Sequence, residues 1–515
     1  MSRLTFTRRR FLAAGTALTT LAAPAILRAA QAPVFTHGVQ SGDVTGTSGM
    51  IWTRTDRPAK VMMEVATTES FSDARRLAPL YAQPGNDLAI KRLVDGLAPG
   101  QQVFYRFSAQ DLSDVNAVSE PITGSFRSAP AAGQPVRFAW SGDTAGQGWG
   151  IDDEGMLTYA IMAQHNPDFF IHSGDTIYAD GPMKDEVTND AGAVIWKNTT
   201  LIDEKRKVAE TLDEFRGQWK YNLMDRHVQA MNASVPTFFQ WDDHEVVNNW
   251  SDSKDLSADD RYTEKSVHVL ASRAAKAFHE MTPIAYAPTE PGRVYRKVSY
   301  GPMLDVFFLD LRSYRGANSD NLQSDLTDAS RILGQDQLAW IQQALKASTA
   351  TWKVIACDMP IGLVVRDGEK FEAVANAEDG PAKGRELEIA DLLRFIRDNG
   401  IRNTVWFTAD VHYTAAHYYN PEKAAFQDFE PFWEFVSGPL HAGTFGPNAL
   451  DMTFGPEVRY VKAPTEEQGA NLPPSMGLQF FGLVDLDPAT EQMTVRLMDR
   501  ADTELWKITL DPVKS

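Results

Sequence analysis

Four short apolar runs in this chain each stop at residues able to bind a cation or carry a proton. Val136-Arg137-Phe138-Ala139-Trp140 leads into Ser141-Gly142-Asp143, and Phe169-Phe170-Ile171-His172 leads into Ser173-Gly174-Asp175-Thr176-Ile177-Tyr178. Thr237-Phe238-Phe239-Gln240 runs into Trp241-Asp242-Asp243-His244-Glu245, and Thr404-Val405-Trp406-Phe407-Thr408 runs into Ala409-Asp410-Val411-His412. Runs of this length, rich in aromatic and β-branched residues, read as buried strands. Between and after them lie amphipathic helical faces, such as Leu338, Ile341 and Leu345 or Leu392, Phe395 and Ile396, so this part of the chain is expected to be α/β. In α/β sheets ligands bind outside the carboxyl ends of the strands, which predicts one shared site for these side chains. Burying several carboxylates together is costly unless a multivalent cation neutralises them, so the pattern favours a metal site.

The stretch before these runs is different. From Val34 to about Pro130 short runs such as Met50-Ile51-Trp52-Thr53, Val61 to Val65 and Val103 to Ser108 sit between Gly, Pro and Asp punctuation and read as all-β. Val103, Tyr105 and Phe107 alternate onto one face, and the segment resembles a fibronectin-type sandwich over residues 33–130. Ala129-Pro130-Ala131-Ala132-Gly133-Gln134-Pro135 is the expected boundary, with the α/β unit over residues 131–515. Leu478 to Val484, Met493 to Met498 and Leu505 to Leu510 read as further strands of that unit.

Residues 1–32 read as an export signal outside the fold: Arg8-Arg9-Arg10-Phe11-Leu12 precedes a weakly apolar region with Thr16, Thr19 and Thr20, the pattern of the twin-arginine pathway. The expected location is periplasmic or secreted, with the translocation machinery as a partner during export. No later run approaches the length needed to span a bilayer, so no transmembrane helix is expected in the mature chain. Cys357 is the sole cysteine, which excludes an intramolecular disulfide. A formal charge of -18 disfavours a nucleic-acid groove. It equally disfavours a phosphate ester unless bound cations supply local positive charge.

The motifs resemble those of the alkaline phosphatase D (PhoD-like) family within the metallophosphoesterases. The resemblance rests on Gly174-Asp175-Thr176-Ile177-Tyr178, on Trp241-Asp242-Asp243-His244-Glu245 with Asn248-Asn249-Trp250, on Asp310-Leu311-Arg312-Ser313-Tyr314-Arg315, and on Leu333-Gly334-Gln335-Asp336-Gln337. It implies a β-sandwich followed by an α/β metallophosphoesterase domain of two packed sheets flanked by helices. It also implies hydrolysis of phosphate monoesters and diesters by a metal-bound hydroxide at an Fe3+ and Ca2+ centre.

By this resemblance Asp175 bridges the metals, Tyr178 and His412 complete the iron side, and Asp243 and Asp410 offer oxygens to the second cation. His244 protonates the leaving group or holds a phosphate oxygen, and Asn248, Asn249 and Arg312 are expected to hold the phosphate. One departure stands out. Where the family prototype has an iron-binding cysteine after the first strand, this chain reads Gly142-Asp143, so Asp143 is expected to replace the thiolate and Mn2+, Zn2+ or Mg2+ become possible. A second lies at Glu378-Asp379-Gly380-Pro381, where relatives carry a Trp-Asp-Gly-Tyr type segment.

Other residues have plainer readings. Asp242 is expected to act as a cap or as an acceptor behind the ligands, Ser41-Gly42-Asp43 as a turn, His172 as a satisfied core histidine and Cys357 as a small buried hydrophobe. His417 and His441 fit the site rim and the surface equally well. Two alternative functions remain at this stage: a phospholipase-type phosphodiesterase, and a non-catalytic extracytoplasmic protein that binds metal or ligand.

Overall fold

The computed structural model describes residues 31–285, 287 and 289–514, so the expected export segment lies almost entirely outside the described residues. The chain opens with two antiparallel sheets. One pairs Phe35–Gly42, Ser48–Thr55 and Ala89–Asp95; the other orders Arg75–Ala82, Ala59–Ala66, Gln102–Asp111 and Ile122–Arg127. Gln102–Asp111 shows why: Val103, Tyr105, Phe107 and Ala109 are buried while the residues between them are half-exposed, the period of two of a strand with one covered face. Val39 and Ile51 of the first sheet share a core with Val61, Tyr105 and Phe107 of the second.

Two larger sheets follow. The six-stranded sheet is ordered Thr237–Gln240, Phe169–Ser173, Val136–Ser141, Phe480–Leu486, Met493–Asp499 and Glu504–Leu510, with the first three strands parallel. The seven-stranded sheet is ordered Arg296–Ser299, Leu304–Phe308, Trp352–Ala356, Thr404–Thr408, Phe432–Val436, Thr414–Tyr419 and Pro456–Lys462, with a parallel centre. These central strands are covered on both faces and are therefore continuous apolar runs. Between the sheets the Phe407 ring lies 4.4 Å from Trp140 and 5.6 Å from Phe138, and Phe238 meets Phe308 at 5.9 Å.

Helices cover the outer faces. Gln335–Ala347 buries Leu338, Ile341 and Leu345, and Glu386–Asp398 buries Leu392 and Ile396 with Phe395 half-buried, against Phe307, Ile355 and Trp406 of the seven-stranded sheet. Leu212–Asn222 and Val267–Met281 cover the other sheet. The first of these starts at Thr211, whose hydroxyl accepts from the Glu214 amide while the Glu214 carboxylate accepts from the Thr211 amide, so two otherwise unpaired donors are satisfied.

The triplet Ser41-Gly42-Asp43 does more than turn the chain. The Asp43 carboxylate accepts from Arg296 at 2.7 Å and from the Ala285 amide at 2.6 Å, clasping the N-terminal sheets to the seven-stranded sheet.

Candidate metal centre

Loops from both large sheets converge at one end of their parallel strands. Val136–Ser141, Phe169–Ser173 and Thr237–Gln240 deliver Asp143, Asp175 and Asp243; Thr404–Thr408 delivers Asp410 and His412. The chain must turn sharply as it leaves each strand. Asp143, Asp175, Asp410 and His412 take φ values of 65°, 50°, 64° and 61°, the left-handed region that non-glycine residues seldom occupy and that concentrates at functional sites. Gly174 turns at φ 103°, where a Cβ would stand 2.6 Å from the Cβ of Asp242.

The result is two overlapping groups. Asp143, Asp175 and His412 each bring a ligand atom within 4.8 Å of the others, and so do Asp175, Asp243 and His244; Asp175 belongs to both. The Tyr178 hydroxyl lies 3.0 Å from His412 Nε2. His412 Nδ1 donates to the Gly443 carbonyl, so Nε2 keeps its lone pair toward Tyr178 and Asp143. Burial lowers the His412 pKa to about 4, leaving a neutral imidazole suited to ligation.

The electrostatics point to a missing positive charge. Burial first, and then neighbouring carboxylates, push Asp143, Asp175 and Asp410 well above the usual carboxylate range. Neither carboxylate oxygen of Asp143 has a hydrogen-bond partner, although the residue is fully buried. A Cβ on Gly438 would run into one of those oxygens, so the glycine leaves the carboxylate its room. Unpartnered buried acids beside a phenol and a neutral imidazole form a donor set that fits hard multivalent cations.

Comparison with known proteins places the chain in a family. The PhoD-like phosphatase family matches residues 138–497, and the N-terminal domain described for the same family matches residues 20–130. The chain belongs to the PhoD-like phosphatase family. Alkaline phosphatase D of Bacillus subtilis (strain 168) is 29% identical over 404 residues, a match that covers 73% of this chain and 64% of that protein, just under two thirds of its length. A solved structure of PhoD superposes with a TM-score of 0.68 at 21% identity, covering 94% of this chain and 90% of that one. A purple acid phosphatase from yellow lupin (Lupinus luteus) seeds shares the fold with a TM-score of 0.54 at 11% identity, covering 93% of this chain and 74% of the other.

In this PhoD-like chain Asp410 stands beside Arg312, with 3.7 Å between carboxylate and guanidinium, and it joins neither three-residue group. Arg312 lies deep beside the metal-binding candidates. Its guanidinium is completely buried, pairs with Asp242 and Glu372, and lies 3.3 Å from Asp358 and 3.9 Å from Asp243. These contacts cross-link the loops through Nε and one terminal nitrogen, while the other terminal nitrogen has no hydrogen-bond partner and faces Asp243 and Asp410. Asp242 is accordingly an acceptor behind the ligands. Asn248 is exposed at the edge of the site, and its amide donates to Asp180.

Three further histidines singled out from the sequence are held by the fold. His172 sits between the hydroxyls of Thr144 and Thr176 at 3.0 and 3.1 Å. His417 and His441 are buried, which removes the surface reading for both: His417 faces Glu434 at 3.4 Å and His441 donates to the Gly150 carbonyl at 2.9 Å. Cys357 is buried with its thiol against the Met359 carbonyl.

Three residues of the site were given no role from the sequence. Asp180 accepts from or pairs with His244 Nδ1 at 2.7 Å, and its only sequence signal is a position two residues after Tyr178. Glu245 accepts from four backbone amides, those of Asp175, Thr176, Ile177 and Asp242, and so ties two ligand loops together. Lys205, 1% exposed, donates to the Tyr178 carbonyl at 3.2 Å, and burial lowers its pKa to about 7. It lies in Asp203-Glu204-Lys205-Arg206-Lys207, which reads as surface.

Proposed function

We propose that this chain is an exported, metal-dependent phosphatase that hydrolyses phosphate monoesters and diesters. The observation that carries the reading is the sharing of Asp175 between the Asp143–His412 group and the Asp243–His244 group, the arrangement a carboxylate bridging two cations requires. Asp143, Tyr178 and His412 would hold one cation; Asp243, with Asp410 from the Arg312 side, would hold the second. Fe3+ with Ca2+ suits the phenol and carboxylate donors, and Asp143 in place of a thiolate also admits Mn2+, Zn2+ or Mg2+. When bound, the pair supplies an acidified water for attack and polarises the phosphoryl group.

The protein's own groups do the rest. His412 presents Nε2 because Gly443 holds Nδ1. His244, with a side chain 15% exposed, faces the solvent edge of the site while Asp180 fixes its ring, so it is placed to pass a proton to the leaving oxygen. Asn248 and Asn249 flank that edge and would contact the ester. The division into a fibronectin-type sandwich over 33–130 and a catalytic unit over 131–515, and periplasmic or secreted delivery by the twin-arginine pathway, belong to the same proposal. Among the described residues no helix is long and apolar enough to cross a membrane.

The test is the metal content of protein exported from its host, with hydrolysis of one aryl monoester and one diester before and after chelation. Two metals per chain and chelator-sensitive turnover are expected. Bound metal without turnover of either ester would overturn the phosphatase reading in favour of a binding protein. Retention of the chain in the cytoplasm when Arg8 and Arg9 are both replaced by Lys is the expected outcome for the export proposal.

A further inference from the structure

The turn at Asn248 and Asn249 is suspended from the site. The Asn249 amide donates to the Asp243 carboxylate, and the Asn248 amide donates at 2.9 Å to Asp180, the residue that holds His244. Two basic residues belong to segments that contact this turn. Lys254 places its ammonium 2.5 Å from the Asn248 carbonyl. Its acidic neighbours in sequence are engaged elsewhere: Asp252 faces His268 at 3.9 Å and Asp255 accepts from the Ser257 amide.

The turn also meets the small hairpin that pairs Arg366 with Phe371 and Asp367 with Lys370. It docks through the Asn249 side-chain amide, 3.4 Å from both the Arg366 carbonyl and Asp367, and through Asn318, which donates to Asp367 at 2.9 Å. The exposed Arg366 guanidinium lies 4.6 Å from the centre of the Phe371 ring, and neither Arg366 nor Lys254 forms an ion pair among the described residues.

Solvent-facing cations without carboxylate partners are informative on a chain with a formal charge of -18. The arginines deeper in the site are buried and cross-link loops: Arg312, Arg315 and Arg385 all contact Glu372. Lys254 and Arg366 are available to a ligand, and they border the turn that carries His244's support. A proton donor for the leaving oxygen stands on the leaving-group side, so cations beside it meet the substituents of the departing alcohol.

We propose that Lys254 and Arg366 form a subsite for a second anionic group, so that the preferred substrates are phosphate esters whose alcohol carries a carboxylate or a further phosphate. This rests on the phosphatase reading above and names the substrate class of the same site. Two partly exposed charge pairs supply about a tenfold preference, and added salt weakens it because the rim faces solvent.

The experiment compares phenyl phosphate with 4-carboxyphenyl phosphate, in the wild-type chain and in the Lys254→Ala/Arg366→Ala variant, by kcat and KM at low and high salt. In parallel, calorimetry compares benzylphosphonate with 4-carboxybenzylphosphonate on the metal-loaded full chain, a readout that needs no turnover. The double substitution is expected to lower kcat/KM for the carboxylated ester about tenfold more than for phenyl phosphate, through KM, and to abolish the difference between the phosphonates. Equal losses on both esters, or a carboxylate preference that survives the variant, would overturn the subsite. Discrimination between the phosphonates with no hydrolysis of either ester would overturn the phosphatase reading and leave the subsite standing.

Discussion

His244 Nδ1 lies 2.7 Å from an Asp180 carboxylate oxygen, a contact made between the loop that follows one strand and the loop that follows another. Burial alone would lower the His244 pKa, but the Asp180 and Asp243 carboxylates outweigh it and hold the value up at about 9. Asp180 therefore fixes the ring's orientation and favours its charged form. Asp180→Asn is expected to slow hydrolysis of an alkyl phosphate about a hundredfold and of 4-nitrophenyl phosphate far less, because the second leaving group departs without a proton. Equal losses on both substrates would show that Asp180 serves the fold alone.

The reach of the sequence ended where partners lie far apart in the chain. Asp143, Asp175, Asp243 and His412 were legible because each follows an apolar run of strand length, and strand ends in such sheets face one crevice. The buried faces of Gln335–Ala347 and Glu386–Asp398 followed from helical periodicity in the same way. Arg312 carried a motif but no sign of its burial, since the acids that pair with it, Asp242, Asp358 and Glu372, arrive from three separate loops. Lys205 was hidden by its charged neighbours, and His417 and His441 by an ambiguity between rim and surface that only packing resolves.

Glu245 offers a test of how the ligand loops are held. Its carboxylate gathers the amides of Asp175, Thr176, Ile177 and Asp242 at 2.7 to 3.3 Å, and its side chain is buried. Glu245→Ala strands four donors in a water-poor setting and is expected to cost about 3 kcal/mol or more. Chemical denaturation checks the cost, and metal analysis of the folded fraction should show loss of bound metal. An unchanged denaturation midpoint would remove Glu245 from this role.

Away from the metal centre, Glu386 sets a pH dependence. Burial, and then the Asp451 carboxylate, raise its pKa from 4.5 to about 9, so the folded chain holds a proton here that the unfolded chain releases. Its stabilising share is full below the unfolded value of about 4.5 and is lost as pH rises toward about 9. Glu386→Gln keeps an acceptor for the Asn376 side chain and the Lys383 amide and removes the titration. Thermal midpoints across pH 5 to 9 are expected to fall less steeply in the variant than in the wild type. Parallel curves would show that other groups govern this range.

Asp143 and Tyr178 separate the possible metals. Both face His412, at 3.4 and 3.0 Å, and both belong to the side of the site proposed above for iron. A phenolate on Fe3+ gives a visible charge-transfer band, whereas Zn2+, Mg2+ and Ca2+ give none with any of these ligands. If iron occupies this side, Tyr178→Phe is expected to bleach the colour of the purified protein while most of the iron remains. Asp143→Ala removes a proposed ligand whose two oxygens have no hydrogen-bond partner in the protein and is expected to release that metal altogether. Absorption spectra and elemental analysis of the wild type and both variants check this directly. A colourless wild type with full metal content would mean that the carboxylate at position 143 has moved the site to a cation without iron's redox chemistry, and a variant Asp143→Cys should then shift its content back toward softer metals.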